Sequence, residues 1–212
     1  MMELNKIYCG DCLSILPSFP PNSVDLVLTD PPYGKNKDFE NDNLSDKELL
    51  VFLKTISTEL KRIVKYNLCI DTPKDKLPLF LEAFSDFKYE YPVILYETNG
   101  MRNGKVGFNN YGLILWFTKE KRKINRYRDI IPAPLENTKK LFLHPSPKNV
   151  RHYSKIVEMF SNKEDVVLDL FMGSGTTAVA CKKLKRNYVG IELNPEYCKI
   201  AEKRIREVNE LF

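Results

Sequence analysis

Residues 166–180 read VVLDLFMGSGTTAVA. The stretch begins as a continuous apolar run, continues as a glycine-bearing turn and ends in helix-forming residues. A strand buried on both faces of a parallel sheet has this unbroken apolar character. Gly173 and Gly175 let the backbone turn tightly and approach a ligand closely. The spacing is G-x-G without the third glycine of the dinucleotide fingerprint, and no G-K-[ST] follows to make a phosphate loop. The run "DVVLDLF" at 165–171 predicts a buried strand, and a helix follows from Thr176 to about Lys185.

An acid stands where this unit needs one. "NYVGIEL" at 187–193 predicts the next strand, and Glu192 lies near its end, 23 residues after Asp169. A carboxylate there accepts hydrogen bonds from both hydroxyls of a ribose. The turn itself is small and uncharged, and Asp169 precedes it, which disfavours a phosphate-rich ligand. A cationic, phosphate-free nucleoside suits it, and S-adenosylmethionine is one.

The same alternation runs through the 212 residues. "KIYC" at 6–9, "VDLVLTD" at 24–30, "NLCID" at 67–71, "YPVILYE" at 91–97 and "YGLILWFTK" at 111–119 predict strands. Ser45 and Glu48 form a capping box for a helix whose apolar positions run from Leu49 to Ile63. A short helix is expected around 75–85 with Pro78 in its first turn, and an amphipathic one at 149–161. Asn194 and Pro195 open the last helix. The 91–97 and 111–119 strands predict an antiparallel pair joined by a long loop, and 119–147 a proline-marked surface excursion. Alternating β and α units predict a doubly wound, Rossmann-like α/β sheet in a single domain, 1–212.

Composition narrows the class. Apolar residues make up 43% and charged residues 29%, enough for a packed core. No apolar run approaches the roughly 18 residues of a membrane span. No secretory signal is visible, so the expected location is cytoplasmic. Five cysteines make an odd number, and the C-x-x-C of Cys9 and Cys12 has no second pair at zinc spacing, so no metal is expected. The net charge is +5, but residues 100–128 hold eight Lys and Arg against the single acid Glu120. Clustered cations interleaved with Phe108 and Tyr127 fit a nucleic-acid partner, and they equally fit a solvated hairpin.

The remaining unusual stretch is TDPPYG at 29–34, directly after an apolar strand. A turn explains it, and so does a rigid site for a flat polar molecule. The prolines lack N–H groups and fix φ, so the Pro31 carbonyl is displayed stiffly beside the Asp30 carboxylate.

With TDPPYG, "HPSPK" at 144–148, "DLFMGSGTT" at 169–177, "VGIELNPEY" at 189–197 and "YCGDC" at 8–12, the chain resembles the β class of DNA amino-methyltransferases over nearly its whole length. The resemblance implies a seven-stranded mixed sheet with permuted motif order, a small basic insertion, and S-adenosylmethionine as methyl donor, leaving S-adenosylhomocysteine. It implies Asp30, Pro31, Pro32 and Tyr33 as the catalytic motif acting on a base flipped out of DNA. It implies cofactor contacts from Asp11, Cys12, Asp30, His144, Lys148, Asp169, Phe171, Gly173, Ser174, Gly175, Thr176, Thr177, Glu192 and Leu193. DNA contacts are expected from the 99–143 region and the loop after the motif: Lys35, Lys37, Arg102, Lys105, Phe108, Lys121, Arg122, Lys123, Arg126 and Arg128. Two departures stand out. Asn149 replaces the last proline of the more usual HPTQKP, and Tyr111 and Gly112 stand where His and Glu are common. The DPPY form implies adenine N6, with cytosine N4 as the alternative; a non-catalytic nucleic-acid module and an RNA methyltransferase are further alternatives. The segment between Lys119 and His144 is too short for an ordinary recognition domain, so the expectation is a short target site, recognition that also uses the 99–112 loop, or help from a partner or second subunit, such as a homodimer.

Overall fold

A computed structural model describes residues 2–34, 43–99, 102–104, 107–123, 125, 127–134 and 148–208. One eight-stranded sheet organises them, in the order β1-β10-β9-β2-β3-β7-β4-β8. The strands are β1 (Lys6–Cys9), β2 (Val24–Thr29), β3 (Val64–Asp71), β4 (Lys88–Glu97), β7 (Tyr111–Thr118), β8 (Ile130–Ala133), β9 (Val166–Asp169) and β10 (Asn187–Glu192). Strands β5 (Arg102–Gly104) and β6 (Gly107–Asn109) form a separate hairpin. Within the main sheet β7 alone runs antiparallel to its neighbours.

The pleat sorts side chains into two cores. Val27, Leu68, Leu115 and Leu168 face the helices α1 (Cys12–Ile15), α2 (Asp46–Ile63) and α3 (Leu77–Ala83). Leu26, Leu28, Cys69, Ile114 and Val167 face α4 (Val150–Phe160), α5 (Thr176–Lys183) and α6 (Pro195–Arg206). Burial on both faces is why β2, β3 and β9 read as unbroken apolar runs. The Ser45–Glu48 capping box and the Asn194 cap with Pro195 behind it form as the sequence predicts.

Two expectations are corrected. The sheet has eight strands, not seven, because Ile130–Ala133 joins its edge beside β4. Pro132 argues against a central strand, but an edge strand needs no donor on its outer side. The expected long loop between β4 and β7 contains the β5–β6 hairpin.

Neighbouring β2 and β9 pair in parallel, Leu26 with Val167 and Val27 with Leu168. From β2 the chain proceeds to β3 on one side, and from β9 to β10 on the other. In open α/β sheets a ligand crevice opens outside the carboxyl ends of such diverging strands. TDPPYG and the glycine turn leave the sheet at this point. No helix among the described residues is long and apolar enough to cross a membrane.

Candidate active site

The glycine turn is fixed from beneath. Gly173 and Gly175 hold φ of 51° and 81°, in the left-handed region. A Cβ on Gly175 would lie 3.0 Å from the Ala201 Cβ and 3.2 Å from its Cα, so the turn sits directly on α6. Arg204, buried on α6, donates to the Ser174 carbonyl, the Ser174 hydroxyl and the Thr176 hydroxyl at 3.0–3.1 Å. The sequence reading missed Arg204, which looks like any charged position on a terminal helix.

Asp169 ends β9 with its carboxylate turned inward. It accepts from the Thr29 hydroxyl (2.8 Å), the Thr177 hydroxyl (2.5 Å) and the Phe171 amide (3.2 Å). Burial pushes its pKa up to about 6, against the pull of these donors. Asp169 and Thr177 therefore brace the turn instead of presenting their side chains to a ligand. Cys12 is likewise a core residue, its thiol pushed up to about 12 by burial.

Glu192, at the end of β10, accepts the Gly173 amide at 2.7 Å and the Asn194 amide at 2.9 Å. A carboxylate oxygen has two lone pairs and can accept two hydrogen bonds. Cys9 pairs with Glu192 in register, which brings Asp11 to the same end of the sheet. There Asp11 caps α1 through the Leu13 amide and the Ser14 hydroxyl. Phe171 packs partly on Phe52, and Leu193 is exposed at the rim. These residues fit a nucleoside carrying free hydroxyls. Arg204, the cation beneath the turn, is already spent on it, which suits a ligand without phosphates.

The TDPPYG stretch leaves β2 beside this turn. Gly34 holds φ 65° and would drive a Cβ into the Leu44 carbonyl, so glycine is required to end the motif. Asp30 Oδ2 accepts from the Lys148 ammonium at 2.9 Å, and Asp30 Oδ1 accepts from the Tyr33 hydroxyl. Lys148 also lies 2.8 Å from Asp71 Oδ2, at the end of β3. Tyr33 and Tyr153 hydroxyls each stand 3.2 Å from Asp71. Tyr33 meets Phe80 edge-on, which fixes its ring. Burial raises Asp30 to about 6, with Lys148 pulling it down and Asp71 pushing it up. Burial alone would lower Lys148, but the two carboxylates more than offset it and hold the ammonium charged. Burial, with Asp30 and Asp71 alongside, raises both tyrosines well above 10, so they remain donors.

Lys148 is thus placed differently from its expected role. Its ammonium joins the Asp30 cluster, and only its backbone carbonyl touches the glycine turn, accepting from the Thr176 hydroxyl at 3.3 Å. Asp71 and Tyr153 were not anticipated. Asp71-Thr72-Pro73 repeats the acid-then-proline pattern of the catalytic strand, a signal that could have found it.

The expected DNA-contacting set divides. The β5–β6 hairpin leaves the sheet between the end of β4 and the start of β7, at the catalytic end. Residues 119–123 and 125 lie at the opposite end. There Arg122 forms a bidentate pair with Asp165 at 2.7 and 3.0 Å, stands 3.7 Å from Asp25, and stacks on Tyr66. Lys119 reaches Asn22 and the Val64 carbonyl, and Asn125 binds carbonyls at the end of α4. Arg122 is therefore a structural clamp, and Lys121 and Lys123 flank it away from the cleft; Arg128 is exposed just before β8. Lys35, Lys37, Lys105, Arg126 and His144 lie outside the described residues, as do the side chains of Arg102 and Phe108.

Comparison with known proteins agrees with this geometry. The N6/N4 DNA methylase family model matches residues 24–203. The type II methyltransferase M.BglII of Bacillus subtilis is 30% identical, over 94% of this chain and 68% of its own. The DNA adenine methyltransferase YhdJ of Escherichia coli is 27% identical, over 96% of this chain and 83% of its own. The crystal structure of the M1.HpyAVI–SAM complex superposes with a TM-score of 0.75 at 26% identity, covering 94% of this chain and 98% of that one. With that model spanning most of a chain folded as a mixed Rossmann-like sheet, the chain belongs to the N6/N4 DNA methylase family.

Proposed function

We propose that this enzyme transfers a methyl group from S-adenosylmethionine to the exocyclic N6 of an adenine flipped out of DNA. The observation that carries the reading is the adjacency of Asp30 and the Gly173–Gly175 turn at the ends of paired strands, with Glu192 on the far side of the turn. Bound there, S-adenosylmethionine supplies an electrophilic methyl group on its sulfonium. Glu192 would accept the ribose hydroxyls, and the turn and Phe171 would hold the amino-acid end.

The target amine is a poor nucleophile because its lone pair is delocalised into the ring. Asp30 and the Pro31 carbonyl accept its two hydrogens and favour a lone pair directed at the methyl group. Tyr33, held by its hydroxyl and by Phe80, presents its ring to the flipped base. The help is orientation and acceptors placed for positive charge developing on nitrogen. After transfer the nitrogen is cationic and gives a proton to Asp30, which passes it to solvent.

Two things favour adenine: the aspartate form of the motif, and the adenine specificity in the name of YhdJ. The test is incubation with genomic DNA and labelled S-adenosylmethionine, nucleoside mass spectrometry of the product, and methylation sequencing to locate the site. Asp30→Ala is the control. N6-methyladenine is expected. N4-methylcytosine would overturn the choice of base, and label in RNA alone would overturn the choice of polymer.

A further inference from the structure

Each oxygen of Asp30 already accepts from one side chain of the chain itself. Tyr33 donates to one, and the Lys148 ammonium lies 2.9 Å from the other. A target amine needs an acceptor on Asp30, so it meets a nitrogen donor already in place. That donor has a second anchor. Asp71 Oδ2 lies 2.8 Å from the same ammonium and accepts the Tyr153 hydroxyl at 3.2 Å, which holds the carboxylate still. Asp71 is nearly buried, whereas Asp30 and Lys148 remain partly open to the cleft.

We propose that Lys148 is a built-in occupant of the amine site of Asp30, displaced by the target base, and that Asp71 is the positioning residue that retains the ammonium once it is displaced. This rests on the reading of Asp30 as the amine acceptor. Moving a cation off one carboxylate inside a cleft is costly if it is left unpaired. With Asp71 fixed beside it, Lys148 leaves Asp30 without losing its counter-charge. Asp30 Oδ2 is then released to the amine, while Tyr33 still donates to Oδ1. When the methylated base departs, the ammonium returns and closes the site. The Thr176 hydroxyl bond to the Lys148 carbonyl keeps the backbone in place, so only the side chain swings.

The test compares Asp71→Asn, Lys148→Met and the double variant on a duplex carrying the site found by methylation sequencing. In Asp71→Asn the ammonium has only Asp30 left, so KM for the duplex rises about tenfold, the worth of one charge-assisted hydrogen bond. Adding Lys148→Met to Asp71→Asn removes the competitor and brings KM back to that of Lys148→Met alone. A purely structural Asp71 would give losses that add. Independently, ¹⁵N-lysine NMR of the wild type should show a slowly exchanging ammonium signal, absent in Lys148→Met, that shifts on duplex binding. Additive losses, or a signal unmoved by the duplex, overturn the inference alone. A wild type that methylates no DNA overturns the functional reading, and the inference with it.

Discussion

The Thr29 hydroxyl donates to the Asp169 carboxylate at 2.8 Å, joining the last residue of the catalytic strand to the last residue of the cofactor strand. The same hydroxyl oxygen accepts the Leu170 amide at 3.1 Å. The ends of β2 and β9 are therefore tied to each other directly and not through loops.

This bracing has a pH signature. The Asp169 carboxyl is raised to about 6 from 3.8 by burial. A carboxyl whose folded pKa lies above its unfolded one holds its proton more tightly when folded. Its contribution is most favourable below about pH 4 and is lost as pH rises through about 6, by about 2–3 kcal/mol in all. Asp169→Asn removes that slope. Asp30 is raised in the same direction and keeps part of it. Urea unfolding of the two proteins between pH 4 and 7 should show a clearly shallower dependence in the variant; equal slopes would exclude a buried, protonatable Asp169.

Arg122 separates structure from DNA contact. Arg122→Ala leaves Asp165 and Asp25 facing each other without their cation, and it exposes Tyr66. Breaking a partly buried pair from one side should cost about 2–3 kcal/mol. The urea midpoint should fall, while the salt dependence of DNA affinity stays as in the wild type. A salt slope reduced by about one ion per duplex would return Arg122 to the DNA surface.

How far the sequence is legible follows from what each signal depends on. The glycine turn, the Ser45 cap and the unbroken apolar strands are local, and all reappear in the structure. Glu192 is found because its spacing from the turn is set by one βα unit. Asp71 is not, since an acid ending a strand gains meaning only when β3 is known to lie beside β2. Tyr153 occupies an apolar-face helix position, and its hydroxyl partner lies on another element. Arg122 is misread because a charge count sees neighbours in sequence and cannot see Asp25 and Asp165 arriving from two other strands. Strand β8 is hidden by Pro132, which only an edge position tolerates.

Glu192 carries the ribose assignment, and a charge-only change tests it. Glu192→Gln keeps the shape but replaces one acceptor oxygen with a donor. One of the Gly173 and Asn194 amides then loses its partner, along with a hydroxyl of the nucleoside. S-adenosylmethionine affinity, measured by calorimetry on the folded protein, should fall about 10- to 100-fold, as expected for charge-assisted bonds, and the unfolding midpoint should fall with the lost amide bond. Unchanged affinity would place the nucleoside elsewhere.

Asp30 must be a carboxylate to accept the amine hydrogens, so kcat/KM for DNA should rise with pH through about 6 and then level. Its neighbours predict which way the inflection moves. Lys148 pulls the Asp30 pKa down and Asp71 pushes it up. Lys148→Met should therefore shift the inflection to higher pH, and Asp71→Asn to lower pH. A pair of variants moving the profile in opposite directions is hard to produce by loosening the site, which would move both the same way. Profiles for the wild type and both variants, each taken at saturating S-adenosylmethionine, measure this directly. Coincident inflections would mean that the group titrating in the free enzyme is not Asp30.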